Sequence, residues 1–191
     1  MELREWIALV FVGIGYFFYP ILNRKPSLPT FQLPIDQHIP LIPIFIYPYM
    51  LLHPMKILSI FLLMKTPLLF PYLVSTAMTG WICAFIWYIF PNGVVRPQPS
   101  PDAKKTLAYI FLTYIHRHDH DSNGLPSAHV AYAICIGYWL SQAFPHYVIP
   151  LTILSGCIAL STLPTKQHYV LDIPAGAIVG IGSILLTRMI L

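Results

Sequence analysis

Ser161-Thr162-Leu163-Pro164-Thr165-Lys166-Gln167-His168-Tyr169-Val170-Leu171-Asp172 stands directly before Ile173–Leu191, a run that is almost wholly apolar and long enough to cross a bilayer. The segment therefore sets a histidine and an aspartate at the mouth of a membrane helix. Their spacing of four predicts one shared helix face. Ionisable groups at such a place are costly, which points to function. A carboxylate one turn from an imidazole can hold one ring N–H, fix the tautomer and leave the other nitrogen free to attack. The pair also reads as a helix N-terminus with a capping carboxylate and a surface histidine. A second polar cluster elsewhere in the chain tips that balance.

Of the 191 residues, 57% are hydrophobic and 9% are charged. A soluble domain carries about 25% charged residues. The mean hydropathy of +0.67 agrees, so the composition is that of an integral membrane protein. Cys83, Cys135 and Cys157 fall inside apolar runs and read as packing residues, not a disulfide framework. The net charge of +4 is scattered. Without a basic stripe it excludes nucleic acid as a partner and suits membrane lipid headgroups.

Working back along the chain, hydropathy predicts six spans. They are Trp6–Leu22, Ile42–Leu63, Leu68–Phe90, Val130–Phe144, Tyr147–Leu163 and Tyr169–Leu191. Asn23-Arg24-Lys25 stops the first, and no small-residue cleavage site follows, so it reads as a retained anchor. Residues 26–41, rich in proline and including Asp36 and His38, read as a loop on the membrane surface. Pro43, Pro48 and Pro54 interrupt the second span, which also contains His53 and Lys56. His53 reads as a helix-contact or interfacial residue. Thr106–Ile115 is apolar but too short to span, so it predicts an interfacial helix between spans three and four. Pro126 suits the first position of the fourth helix. Gly176 and Gly180 form a small-xxx-small pair suited to close helix packing. The predicted fold is thus all-α, with six transmembrane helices and a short interfacial helix, in one membrane-embedded domain over residues 1–191.

Six spans put both chain ends on one face. Loops 23–41, 91–129 and 161–168 lie on the other, so Arg96, His129 and His168 emerge together. That face also carries Arg24, Lys25, Lys104, Lys105, Arg117 and Lys166, against Arg4, Lys65 and Arg188 opposite, with Lys56 at the margin of that second count. The positive-inside rule places it in the cytoplasm, unless Arg96 and Lys166 are there for chemistry.

The chemistry follows from these groups. A neutral imidazole held by Asp172 is a nucleophile suited to phosphorus, and a neighbourhood of Arg96 and Lys166 suits a phosphate. Ser127 and the free N–H groups at the start of the fourth helix form an anion site. His129, in the first turn of that helix, can protonate a leaving oxygen. Together these give two-step phosphoryl transfer through a phosphohistidine, which requires no metal and no cofactor. The run His116-Arg117-His118-Asp119-His120-Asp121 invites a metal site, but alternate spacing on a loop is not enough. It reads as a solvated loop near lipid headgroups, with a pH sensor or a substrate contact as the alternative.

Pro126-Ser127-Ala128-His129 resembles the Pro-Ser-Gly-His motif of the type-2 phosphatidic acid phosphatase superfamily. Ser161 with His168-x-x-x-Asp172 is similar to that superfamily's third motif, and Arg96-Pro97 resembles the end of its first. The resemblance spans about Phe90 to Gly180. It implies His168 as nucleophile, Asp172 as its orienting carboxylate, His129 as general acid, and Arg96 and Ser127 as phosphate ligands. It also implies an extracytoplasmic site. The chain departs from the pattern at Ile89 and Thr162, where the motifs have a lysine and an arginine, and at Ala128, where they have glycine. Lys166 is the expected substitute cation. Ser161-Thr162, Lys166-Gln167-His168-Tyr169 and Asn123 look more like the inositol phosphorylceramide synthase-like branch, which contains phosphotransferases as well as phosphatases.

Three functions fit this pattern. The first is hydrolysis of a lipid phosphate or diphosphate: phosphatidic acid, phosphatidylglycerophosphate or a polyprenyl diphosphate. The second is transfer of a phospho-headgroup between lipids. The third is non-catalytic lipid binding, against which the retention of both histidines and the aspartate argues.

Overall fold

A computed structural model of the chain describes residues 1–23, 31–97 and 106–191. The stop residues Arg24 and Lys25, and Lys104 and Lys105 of the charge count, lie outside them.

The described residues are helical, with no strand beyond one isolated antiparallel bridge between Gly93 and Ser122. In chain order the helices are α1 (Leu3–Leu22), α2 (Pro34–His38), α3 (Ile46–Met50), α4 (Leu52–Leu63), α5 (Leu69–Ile89), α6 (Leu107–His118), α7 (Ala128–Ala143), α8 (Val148–Ser161) and α9 (Asp172–Ile190). Four segments are long and apolar enough to cross a membrane: Leu3–Leu22, Pro43–Leu63, Leu69–Ile89 and Asp172–Ile190. The two remaining expected spans are shorter. Helix α7 has 16 residues, so it is about 24 Å long against a hydrocarbon core of about 30 Å.

Helix α7 is the hub, packing against α4, α5, α8 and α9, while α1 lies along α5. The main core joins Leu69 and Leu73 of α5 to Ile136 and Leu140 of α7 and Ile158 of α8. In an apolar bundle the polar side chains must be satisfied internally. Thr76 and Thr79 of α5 donate their hydroxyls to the carbonyls of Tyr72 and Ser75, and Ser183 and Thr187 of α9 do the same to Val179 and Ser183. The three cysteines are free, as their apolar settings predict.

Two local readings differ from the structure, while the second span is interrupted as its prolines predict: a 3-10 turn at Pro43–Phe45 leads into α3, and a turn at Leu51 separates it from α4. Pro54 brings no N–H to the carbonyl one turn back, at Met50, which is where the break falls. Residues 34–38 are a helical turn within the surface loop, and Asp36 is buried. Its carboxylate accepts the N–H groups of Leu33 (2.7 Å) and Val170 (2.8 Å), so it pins the segment before α9. Pro126 precedes the N-cap instead of opening α7. Ser127 takes the cap because its hydroxyl accepts the Val130 N–H.

Candidate active site

Three stretches far apart in sequence are tied together at one end of the bundle. The Asn92 amide donates to the carbonyls of Phe90 (3.0 Å) and Leu125 (2.8 Å) and accepts the Leu125 N–H (2.6 Å). The backbone N–H of Val94 reaches Asp121 O at 2.7 Å, and that of Asn123 reaches Asn92 O at 2.8 Å. The Val95 N–H donates to the Tyr169 hydroxyl at 2.8 Å. These bonds place the segments carrying Arg96, His129 and His168 side by side.

His168 stands in the turn before α9, not on the helix face that the spacing of four predicts. The N–H groups of Gln167 and His168 both donate to Thr162 O, at 3.0 and 3.2 Å. Lys166 takes a left-handed φ of 55° to close that turn. The histidine and aspartate still meet. His168 Nδ1 lies 2.9 Å from Gly124 O and 3.2 Å from Asp172 Oδ2. Both partners are acceptors, so the proton sits on Nδ1 and the lone pair on Nε2. Asp172 is 1% exposed and starts α9, and its Oδ2 also accepts the Tyr169 N–H at 2.8 Å.

His129 occupies the first turn of α7 and stacks on Tyr49 with ring centres 4.0 Å apart. Its ring centre is 6.3 Å from that of His168. Its Nε2 is buried and has no hydrogen-bond partner.

Arg96 lines the same pocket as both histidines. Its guanidinium donates to the carbonyls of Asp119 and His120 and to Gln167 Oε1 (2.7 Å), and pairs with the Asp119 carboxylate at 3.4 Å. Asp119 in turn accepts the Tyr19 hydroxyl and the Asn23 amide. The run His116–Asp121 is therefore not a loop throughout: His116, Arg117 and His118 close α6, and Asp119 turns inward to the pocket. Among the described residues no three His, Cys, Asp or Glu side chains converge as metal ligands would.

Two other predicted ligands do not line that pocket. The Ser127 side chain is wholly buried as the cap of α7. Lys166 turns away and donates its ammonium to Asp36 O at 3.0 Å. Partial burial lowers the Lys166 pKa, and the Asp36 carboxylate offsets part of that effect. Thr162, where the family motif has arginine, is also fully buried.

What lines the pocket instead is a set of unpartnered nitrogens, most of them on uncharged side chains. Among the described residues, six buried side-chain nitrogens lack a hydrogen-bond partner. Five of them belong to pocket residues: Trp87 Nε1, Arg96 Nε, Asn123 Nδ2, His129 Nε2 and Gln167 Nε2. Buried unpartnered donors cost about 1–3 kcal/mol each, so their gathering at one place marks a site for acceptor oxygens. Motif reading finds Asn123 and Gln167 as branch markers but not as donors, and Trp87 looks like any span aromatic. Only the left-handed φ of 65° at Asn123, common for asparagine, hints at a special position.

The sequence profile of the PAP2 superfamily matches residues 68–191, more than half of the chain. Neither a curated protein nor a solved structure gives a match. Members of the superfamily are phosphatases or phosphotransferases acting on lipid-type phosphates, and four apolar helices fit such a membrane protein. The matched segment runs from α5 to the chain end and carries His129, His168 and Asp172, and the chain belongs to the PAP2 superfamily.

Proposed function

We propose that the chain is a membrane lipid phosphatase that works through a phosphohistidine. The observation that carries this reading is the pocket in which His168 and His129 face unpartnered donors from Trp87, Arg96, Asn123 and Gln167. A tetrahedral phosphoryl group has the acceptor oxygens such a cradle lacks. His168 Nε2 attacks phosphorus, and the P–O bond to the lipid breaks. The electron pair goes to the lipid oxygen, which takes a proton from His129. His129 then accepts a proton from water as that water attacks the N–P bond, releasing phosphate and restoring His168. Asp172 positions the imidazole and stabilises its charge. In this reading Lys166 and Ser127 act through structure: the lysine braces the turn before His168, and the serine caps the helix bearing His129.

The chain is read as one membrane-embedded domain over residues 1–191, with α7 and α8 completing six spans and α6 at the interface. It sits in the cell membrane, with the site on the extracytoplasmic side, as the family resemblance implies. A second reading, phospho-headgroup transfer between lipids, has one observation in its favour. Asp119 neutralises Arg96, and the remaining donors are neutral, which suits the single charge of a phosphodiester.

The test is phosphate release by detergent-purified protein from phosphatidic acid, phosphatidylglycerophosphate and a polyprenyl diphosphate. His168→Ala should release none, and chelators should leave the native rate unchanged. Full activity in His168→Ala would sink the nucleophile assignment. A chelator loss restored by zinc would sink the metal-free mechanism. Release only when a lipid alcohol is added would favour transfer.

A further inference from the structure

The mechanism above leaves the far side of His129 unused. A cavity of about 180 Å³ opens there, sharing His129, Tyr49 and Trp87 with the nucleophile's pocket but not His168 itself. From α1 and α4 its walls carry the polar groups Tyr16, Tyr19, His53 and Lys56, and Asp119, paired with Arg96, lines it on the side shared with the nucleophile's pocket. The Tyr16 hydroxyl lies 3.3 Å from His53 Nδ1, and the His53 ring stands edge-on to His129 with centres 5.8 Å apart. Lys56 Nζ lies 3.3 Å from the centre of the Tyr132 ring and 5.0 Å from that of Tyr16. Among the described residues no carboxylate pairs with it. Aromatic faces compensate a buried ammonium only in part, and with Asp119 committed to Arg96 the lysine is left to an anionic ligand.

Displacement at phosphorus expels the group opposite the nucleophile. With His168 attacking and His129 on the opposite side, the leaving group enters this cavity. A membrane-facing groove then continues from it. The groove shares Tyr16, Lys56 and Tyr132 with the cavity and is otherwise lined mostly by apolar residues such as Leu9 and Ile57, with Thr76 among them. From the site outward the order is therefore a phosphoryl cradle, a cation with hydroxyl and imidazole donors, and a hydrocarbon path.

We propose that Lys56, with His53 and Tyr16, forms a second anion subsite that holds the lipid-side phosphate of a lipid diphosphate. This rests on the phosphatase reading and names its substrate class. The N–P bond forms at the terminal phosphorus, and the bridging P–O bond breaks. Its electron pair stays on the bridging oxygen, which becomes an oxygen of the departing lipid monophosphate. A phosphate leaving group needs a cation more than a proton, and Lys56 supplies it. Helices α1 and α4 lie before the segment matched to the superfamily, so this subsite is a feature of this chain's own N-terminal third.

The probes are farnesyl diphosphate and farnesyl phosphate, which share one hydrocarbon. For the purified full-length chain, Lys56→Met should lower the diphosphate-to-monophosphate ratio of kcat/KM about tenfold or more, the effect of one charge-assisted contact. Lys56→Arg should keep most of the ratio. His168→Ala, which cannot turn over, should bind farnesyl diphosphate more tightly than farnesyl phosphate, and adding Lys56→Met should erase that preference. Equal binding of the two lipids by His168→Ala, or a preference that survives Lys56→Met, overturns the subsite. A native chain that hydrolyses neither lipid, yet binds them with a Lys56-dependent preference, overturns the phosphatase reading and upholds the subsite. The single variant His168→Ala keeps the test decisive even if Lys56→Met fails to fold.

Discussion

At the scale of single residues, the two histidines have different jobs because their partners differ. Gly124 O and Asp172 Oδ2 hold the His168 proton on Nδ1 and so present Nε2 as the nucleophile. His129 Nε2 has no partner and is left for the leaving oxygen. General acid catalysis is worth about 10²–10⁴-fold, and less for a good leaving group. His129→Ala should therefore slow release from an alkyl phosphate by about that factor and slow p-nitrophenyl phosphate far less; equal loss on both would refute the acid role. A third histidine governs stability instead. His116 Nε2 lies 2.8 Å from Thr165 O and ties α6 to the turn that carries His168. Burial lowers its pKa below the ordinary 6.5, and the Thr165 carbonyl offsets part of that. Arg96 and Asp119, the charges that act on it, pull in opposite directions. With the folded pKa depressed, the unfolded chain takes up a proton first as pH falls. The native state should thus lose stability below about pH 6.5 and keep it above. Melting curves at pH 7.5 and 5.5 should show a smaller drop in His116→Gln, whose amide can still donate to the carbonyl; an unchanged drop would assign the pH dependence elsewhere.

At the scale of elements, the site depends on how closely α9 approaches α7. A Cβ on Gly176 would collide with Ser127 O, and one on Gly180 would stand 2.7 Å from Ala131 O. Side chains there would push Asp172 away from the cap of α7. Gly180→Val should cost about 1–3 kcal/mol, seen as a lower melting temperature in detergent, while Gly182→Val, in open space, should not. That small-xxx-small pair was legible in the sequence, as were Leu69–Ile89, the helix at Leu107–His118 and the convergence of Arg96, His129 and His168. These depend on hydropathy, length and the parity of crossings, all of which a linear chain displays. The buried Asp36 was not legible, because a carboxylate in a proline-rich loop looks solvated until the N–H of Val170 is seen to reach it. Nor was the direction of Lys166. A charge two residues from a nucleophile reads as a ligand, and only the left-handed turn shows that it points to Asp36. The neutral donors Trp87, Asn123 and Gln167 were invisible for a related reason: an unpartnered nitrogen is a property of the packed neighbourhood, not of the residue type.

At the scale of the whole molecule, the open question of charge and sidedness becomes narrower. The cations counted on the site's face include Arg96 and Lys166, but Arg96 is paired with Asp119 and Lys166 is bonded to Asp36 O. Neither is a free surface charge of the kind the positive-inside rule counts. Lys56 belongs to the interior of the bundle near His129 and not to the opposite face. Of the cations that the sequence assigns to the site's face, Arg117 is left among the described residues, against Arg4, Lys65 and Arg188; the other four lie outside the described residues. The charge rule and the family resemblance therefore still point in opposite directions. The prediction follows the resemblance, because the matched segment spans α5 to α9 and includes both His129 and His168. Helix α5 separates Lys65, in the turn before it, from the segment bearing Arg96 after it. In cells expressing a chain with its native cysteines replaced, His120→Cys should react with a membrane-impermeant thiol reagent from outside. Lys65→Cys should react only after the cells are opened. Labelling of both from one side would refute the odd number of crossings between them. The reverse pattern would keep the fold and turn the site to the cytoplasm, where a lipid phosphate made on the inner leaflet would reach the His168 pocket without first crossing the bilayer.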